Sequence, residues 1–406
     1  MQFEPGFRML NTSIRPAIDC RWKPIVGRVI RCILILACAV VSFPRFAAAD
    51  LVSGRSDGSV IQVIAPLALT GPLSSTAKDY LIGAKAHIAD FNGGASSKGR
   101  TVNLVAVDNP STEQSRNVLS QALAESKSAM AVFMPMQIIS ALGVLNGEEM
   151  AIIAPPGRSF EEHDSSLSPN NFHIRGSWEI EFKKIAEHLG SINLNKVVFV
   201  YDNILGSSES SSLPLITQIF LRNKIGIKPI YLDGQAKNID AAINEIKSYQ
   251  PQAVILGLAG EGMSRFLDAH KSQIGPWSLY ATSEGSLTSV RQALKKTGTP
   301  LAMTQAFPPY WDRTIPIVRE YQDAMLKAGY AEFSYHSLEG FIAANVLTRA
   351  LRNARAPLSR QSLFSAIENL GRVDLGGFIV DFSTRNHAGA NYIDLIYLRP
   401  DGRYIR

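Results

Sequence analysis

Cysteine is scarce in this chain and confined to one end: Cys20, Cys32 and Cys38 are all it has. From residue 39 onward neither a disulfide framework nor a thiolate metal site can form. Enzyme signatures are missing as well: the sequence has no Gly-x-Ser-x-Gly elbow, no Walker loop and no His-Glu-x-x-His. Gly257, Gly260 and Gly262 lack the spacing of a dinucleotide fingerprint. The histidines at 87, 163, 173, 188, 270, 336 and 387 occur singly, a pattern of ordinary core or surface positions rather than of a metal site. These absences predict a protein that is not an enzyme and carries no cofactor or metal. After Phe43 no apolar run approaches the roughly 20 residues that a membrane-spanning helix needs.

The amino-terminal segment accounts for most of the charge imbalance. Arg21, Lys23, Arg28 and Arg31 precede an apolar run from Cys32 to Phe43, and Ala47-Ala48-Ala49 supplies small residues for cleavage. Residues 1–49 therefore read as a secretory signal peptide cut before Asp50, with Met1 or Met9 as its start. That segment holds seven of the 41 Lys/Arg and two of the 35 Asp/Glu, which leaves 41 − 7 = 34 basic and 35 − 2 = 33 acidic residues. A nearly neutral exported chain is expected to have no nucleic-acid partner. The remaining 406 − 49 = 357 residues favour two domains over one.

Hydrophobic periodicity supplies the architecture. A strand-like run ending near Leu69 is followed by Tyr80, Ala84, Ile88 and Phe91 at helical spacing, with Gly93-Gly94 as a stop. Thr101 to Val107 reads as a strand, Ser111-Thr112-Glu113-Gln114 as a capping box for a helix carrying Leu119 and Leu123, and Ala129 to Met134 and Ala151 to Ala154 as short strands flanking a helix from Ile138 to Leu145. The pattern restarts after Arg175-Gly176. It predicts helices at 178–189, 214–223, 239–249, 263–271 and 288–296, with strands at 196–201, 227–232, 253–258 and 277–281, and a polar loop at Ser207 to Ser212. Helices at 315–328, 336–353 and 359–370 and β segments at 378–382 and 393–398 complete the chain. Such alternation implies parallel sheets covered on both faces: an α/β fold of two doubly wound lobes.

In open parallel sheets, ligands bind beyond the carboxyl ends of the strands, where helix N-termini offer unpaired N–H groups. Thr70-Gly71-Pro72 ends the opening strand in a turn that lets backbone approach such a cleft, or serves as a plain βα turn. Met136, Gln137, Pro156, Gly157 and Arg158 lie at first-lobe strand ends, and Asn203, Leu205, Glu261, Ser283 and Glu284 at second-lobe ones. Arg158 suits a bidentate contact with a ligand carboxylate or a surface ion pair with Glu161 or Glu162. Glu284 suits an ammonium or amide, or simply faces a helix dipole.

The sequence resembles the type I periplasmic solute-binding proteins of ATP-binding-cassette transporters, in the branched-chain amino acid and amide group. The resemblance is carried by Ala-Pro-Leu-Ala-Leu-Thr-Gly-Pro (65–72), Gly99-Arg100 with Val105-Ala106-Val107-Asp108, Ala-Ile-Ile-Ala-Pro (151–155), Val-Phe-Val-Tyr-Asp (198–202) and Ser-Leu-Glu-Gly-Phe-Ile-Ala-Ala (337–344). It implies three hinge crossovers, placed near Arg175, Gln305 and Gly377, and lobes comprising 58–174 with 306–377 and 175–305 with 378–406. It further implies a monomer in the periplasm that traps a small-molecule ligand and delivers it to an inner-membrane permease and ATPase complex, or alternatively docks on a membrane signalling receptor. In the amino acid binders of this family, hydroxyls after the third and fourth strands hold the α-carboxylate. Here Met136-Gln137 and Pro156-Gly157-Arg158 stand in their place, and Leu205 replaces a tyrosine, while the acid for the ammonium is retained as Glu284. The expected ligand is an amino acid, an amide or a small or aromatic carboxylate, with Arg158 and backbone N–H groups as its anion site.

Overall fold

The computed structural model describes residues 60–97, 99–136, 145, 150–157, 163–202, 209–233, 238–271, 275–401 and 403–405. Strand β1 (Val60–Leu67) pairs in parallel with β2 (Thr101–Asp108) on one side and β3 (Ala131–Phe133) on the other, followed by β4 (Ala151–Ile153) and β5 (Asn171–Phe172). The resulting order, β2-β1-β3-β4-β5, places β1 at the interior of the sheet. Its run Val-Ile-Ala-Pro-Leu is buried on both faces, as a parallel strand covered by helices must be. Helices α1 (Ser74–Gly93) and α2 (Ser115–Glu125) follow β1 and β2. The expected capping box at Ser111 is not formed. The helix starts later, at Ser115, and the Ser115 hydroxyl instead donates to Ser111 O at 3.1 Å. The helix expected between Ile138 and Leu145 falls largely outside the described residues.

The second sheet comprises β6 (Lys196–Tyr201), β7 (Gly226–Tyr231), β8 (Ala253–Gly257), β9 (Ser278–Ala281), β10 (Leu301–Gln305), β13 (Asp394–Leu398) and β14 (Tyr404–Ile405) in the order β14-β13-β10-β9-β8-β6-β7. Its core from β10 to β7 is parallel, and β13 and β14 are antiparallel additions at one edge. Helices α3 (Trp178–Ser191), α4 (Glu209–Arg222), α5 (Ile239–Tyr249), α6 (Gly260–Lys271) and α7 (Leu287–Thr297) connect its strands. Helix α4 begins within the stretch read as a polar loop, and Pro214 sits inside it. The molecule is thus α/β with two parallel-sheet lobes.

Helices α8 (Pro316–Lys327), α9 (Tyr335–Asn353) and α10 (Arg360–Glu368) return to the first lobe. Helix α9 is buried almost all round, the expected state for a helix with few charges at the centre of a large domain. It approaches α1 so closely that a Cβ on Gly83 would lie 1.8 Å from Ser337 O, and one on Gly340 2.0 Å from Tyr80 O. Only glycine permits this contact. Ser334 and Ser337 form a reciprocal capping box at its start, and Tyr321 Oη reaches Ser337 Oγ at 2.5 Å.

The third crossing differs from the expected position. Gly377 lies in the turn between β11 (Gly371–Asp374) and β12 (Ile379–Phe382), an antiparallel pair apart from both large sheets. Beyond it Phe382 still packs on Phe172 of the first lobe at 5.7 Å, and His173 N donates to His387 O at 2.8 Å. The chain joins the second sheet at Asp394. Burial of Phe382 keeps this segment with the first lobe. Among the described residues no helix is long and apolar enough to cross a membrane.

Candidate functional site

The carboxyl ends of both sheets meet at one cavity. It is lined by Leu73, Thr76 and Tyr80 at the start of α1, Pro156 after β4, Arg175 ahead of α3, Ala259 after β8 and Glu284 after β9. Two other positions near the first-lobe edge, Met134 and Ala154, have φ of +45° and +53° at the ends of β3 and β4. Left-handed backbone at residues other than glycine carries strain that tends to concentrate at functional sites. The cavity is narrow, with about 10 Å³ open to water-sized solvent.

Glu284 is 6% exposed. Its Oε1 accepts from Trp178 Nε1 at 2.7 Å and its Oε2 from Thr282 Oγ1 at 3.4 Å. Ser283 contributes its backbone: its N–H donates to Glu181 Oε1 at 2.6 Å and its carbonyl accepts from Arg175 Nη1 at 3.4 Å. Glu181 also accepts from the Thr304 hydroxyl. Arg175 and Glu339, 3% and 1% exposed, form a fork-to-fork pair with Nε–Oε1 at 3.1 Å and Nη2–Oε2 at 2.6 Å. Burial alone would lower the Arg175 pKa. The carboxylate of Glu339 and its hydrogen bond outweigh that, with help from Tyr80 and Glu181, so the pKa rises and the guanidinium stays charged. His336, which meets Tyr80 edge to face at 5.3 Å, is pushed down to about 3 by burial and then by Arg175, and is a neutral imidazole at physiological pH.

Of the residues singled out in the sequence, Pro156 and Glu284 line this cavity together. Gly157 is buried beside Pro156. Thr70 is exposed, and its N–H and Oγ1 are both engaged by Asp108, at 3.1 and 2.7 Å. The Thr-Gly-Pro turn is thereby pinned to the end of β2, and Gly71, at φ +80°, takes the left-handed conformation the turn requires. Met136 is packed in the core, its N–H on Pro66 O at 3.0 Å and its carbonyl accepting from Asn109 Nδ2 at 2.7 Å. Glu261 occupies the first turn of α6. Gln137, Arg158, Asn203 and Leu205 lie outside the described residues. Among the described residues no cluster of His, Cys, Asp or Glu could hold a metal ion.

Sequence reasoning passed over Tyr80, Arg175, Trp178, Glu181 and Glu339 as site residues. Two of them left a signal. Glu181 stands on the apolar stripe Trp178, Phe182, Ile185, Ala186 and Leu189, and Glu339 interrupts an otherwise uncharged run in α9. An acid on a buried stripe must have a partner.

Comparisons with known proteins agree with this architecture. Among curated protein sequences none matches the chain. A substrate-binding periplasmic protein from Ralstonia solanacearum is 24% identical with a TM-score of 0.76, over 85% of this chain and 99% of that one. A possible leucine/isoleucine/valine-binding protein from Rhodopirellula baltica SH 1 is 18% identical with a TM-score of 0.75, over 87% and 98%. A solute-binding protein from R. palustris, in complex with benzoate, is 14% identical with a TM-score of 0.71, over 86% and 95%. These likenesses establish a shared fold. The profile of the periplasmic binding protein family matches residues 61–403, nearly everything that the structure describes, and the chain therefore belongs to that family.

Proposed function

We propose that the exported chain is a periplasmic receptor that encloses a small carboxylate-bearing ligand, an amino acid or a related acid, between its lobes and delivers it to a membrane permease. The observation that carries this reading is a cavity walled by both lobes, with the buried Glu284 on one side and first-lobe residues on the other. Glu284 suits a ligand ammonium, since its buried carboxylate lines the cavity with its oxygens oriented by Trp178 and Thr282, and Arg158 with first-lobe backbone N–H groups suits the carboxylate. The ligands named for two structural neighbours, leucine, isoleucine or valine for a possible binding protein and benzoate for another, share a carboxylate, which supports the choice. A cavity of about 10 Å³ is far below the few hundred Å³ of a usual ligand pocket. The ligand therefore enters an opened cleft and the lobes close over it, so that binding energy selects the closed state.

A thermal-shift panel of amino acids, amides and aromatic acids on residues 50–406 tests the reading. A true ligand at 100 times its Kd adds about 2.7 kcal/mol of stability. The expected outcome is a shift with one or more carboxylates and none with their neutral amides. Stabilisation by uncharged compounds alone would overturn it.

A further inference from the structure

We propose that Arg175 is a positioning residue that ties the loop bearing Glu284 to the first lobe, so that closing the cleft and assembling the ligand site are one equilibrium. The ligand side of this inference rests on the proposed function; the clamp itself rests on geometry. Arg175 lies in the segment joining β5 to α3. Its guanidinium holds Glu339 of first-lobe helix α9 through two bonds, at 3.1 and 2.6 Å, and the carbonyl of Ser283 in the second-lobe loop through a third, at 3.4 Å. The same group lies 5.6 Å from the ring of Phe307, in the segment that follows β10.

Four separate stretches of chain thus converge on one buried cation, two of them connections between the sheets. Rotating the lobes apart must lengthen at least one of these contacts. The Ser283 peptide is held from both sides, by Glu181 on its N–H and Arg175 on its carbonyl, and the next residue is the cavity-lining Glu284. Its orientation therefore follows Arg175. A buried charge that loses one partner without gaining water is strongly disfavoured, so partly opened arrangements are poorly populated and the clamp behaves as a two-state element rather than a soft spring. Arg175 itself lines the cavity, which places the clamp where cleft opening brings solvent to it.

The double variant Arg175→Met with Glu339→Leu removes both charges at similar volume and strands neither. Arg175→Lys keeps the charge but cannot fork to Glu339 while reaching Ser283. Small-angle scattering of the unliganded and ligand-saturated proteins is compared with calorimetric titration, using the tightest-binding carboxylate of the panel. The double variant is expected to show a larger radius of gyration than wild type without ligand. Its Kd is expected to rise roughly tenfold to hundredfold, as for a protein whose binding-competent state falls to about a tenth or a hundredth. Arg175→Lys should fall between, and it carries the comparison alone if the double variant does not fold. Weaker binding with an unchanged radius, a larger radius with unchanged Kd, or no change in either overturns the clamp. If no compound of the panel binds the wild type, the ligand reading fails, while the radius of the unliganded variants still decides the clamp.

Discussion

Replacing Gly340 by alanine sets two effects of opposite sign against each other. On helix propensity alone, Gly→Ala inside a helix stabilises by about 1 kcal/mol. In α9, however, the new Cβ would sit 2.0 Å from Tyr80 O and 2.9 Å from its carbonyl carbon, whereas real Cβ contacts stay beyond 3.0 Å, a shortfall of 3.0 − 2.0 = 1.0 Å. The obstacle is backbone of α1, so no rotamer change relieves it. Both helices are packed in the core, and moving α1 outward by about 1 Å would also loosen the matching contact at Gly83. Overpacking typically costs about 1–3 kcal/mol and occasionally more. A backbone-limited clash belongs at the upper end, which leaves a net loss of about 2 kcal/mol. Because Tyr80 walls the cavity, ligand affinity should fall with it. Urea unfolding followed by far-UV circular dichroism reads the change as a lower midpoint at constant slope. Gly190→Ala in α3, where a Cβ meets nothing within 4 Å, is the control and should be neutral or stabilising. If Gly340→Ala is as stable as wild type, or if Gly190→Ala loses as much, the close-approach argument is wrong.

Acid stability should depend on His336. Burial, then Arg175, lowers its folded pKa from 6.5 to about 3, so between those values the unfolded chain binds the extra proton, and the stabilising contribution is complete above about pH 6.5 and lost as pH falls. Moving from pH 6.5 to 4.5 should cost about 2–3 kcal/mol through this group, at roughly 1.4 kcal/mol per pH unit, and urea midpoints of a His336→Phe variant should show a correspondingly flatter dependence; an identical slope would remove the assignment. Glu284→Gln should weaken an ammonium-bearing ligand at least tenfold while hardly affecting a simple carboxylate that lacks the cation, about 1.4 kcal/mol or more on the scale of hydrogen bonds to charged groups, and equal losses by calorimetry would contradict the division of roles. Arg158→Ala should cost about 1.5–3 kcal/mol of carboxylate affinity and leave the circular dichroism spectrum unchanged; unaltered affinity would take Arg158 out of the site.

The alternation of strands and helices was legible from residue spacing, because burial of one helix face or both faces of a short strand is imposed locally and leaves a local period. Thus Thr101 to Val107 and Lys196 to Tyr201 appear as strands close to where expected. The short strands β5, β10 and β11 went unread, since two to five residues carry too little periodicity to stand apart from a turn or a helix end. The capping box at Ser111 had the right spacing, yet the Ser115 hydroxyl and Asn109, bonded together in the core, set the helix start instead. Gly377 looked like a boundary and is a hairpin turn, because nothing in the sequence near it shows that Phe382 buries itself against Phe172.

The candidate site divides along the same line. Glu284 could be proposed from sequence because its position depends only on the end of its own strand and the start of the next helix. That Trp178 and Thr282 hold it, and that Thr70 is spent on Asp108 rather than turned to a ligand, depends on which strand ends come together. Arg175 and Glu339 stand 164 residues apart, and each alone reads as an ordinary charge. Sequence by itself determined the periodic elements and the covered parallel sheets, since those follow from how each segment meets water. Tertiary structure alone decided which polar groups face each other there, because a buried charge is tolerable only beside its partner, and the partner is chosen by the packing of segments distant in the chain.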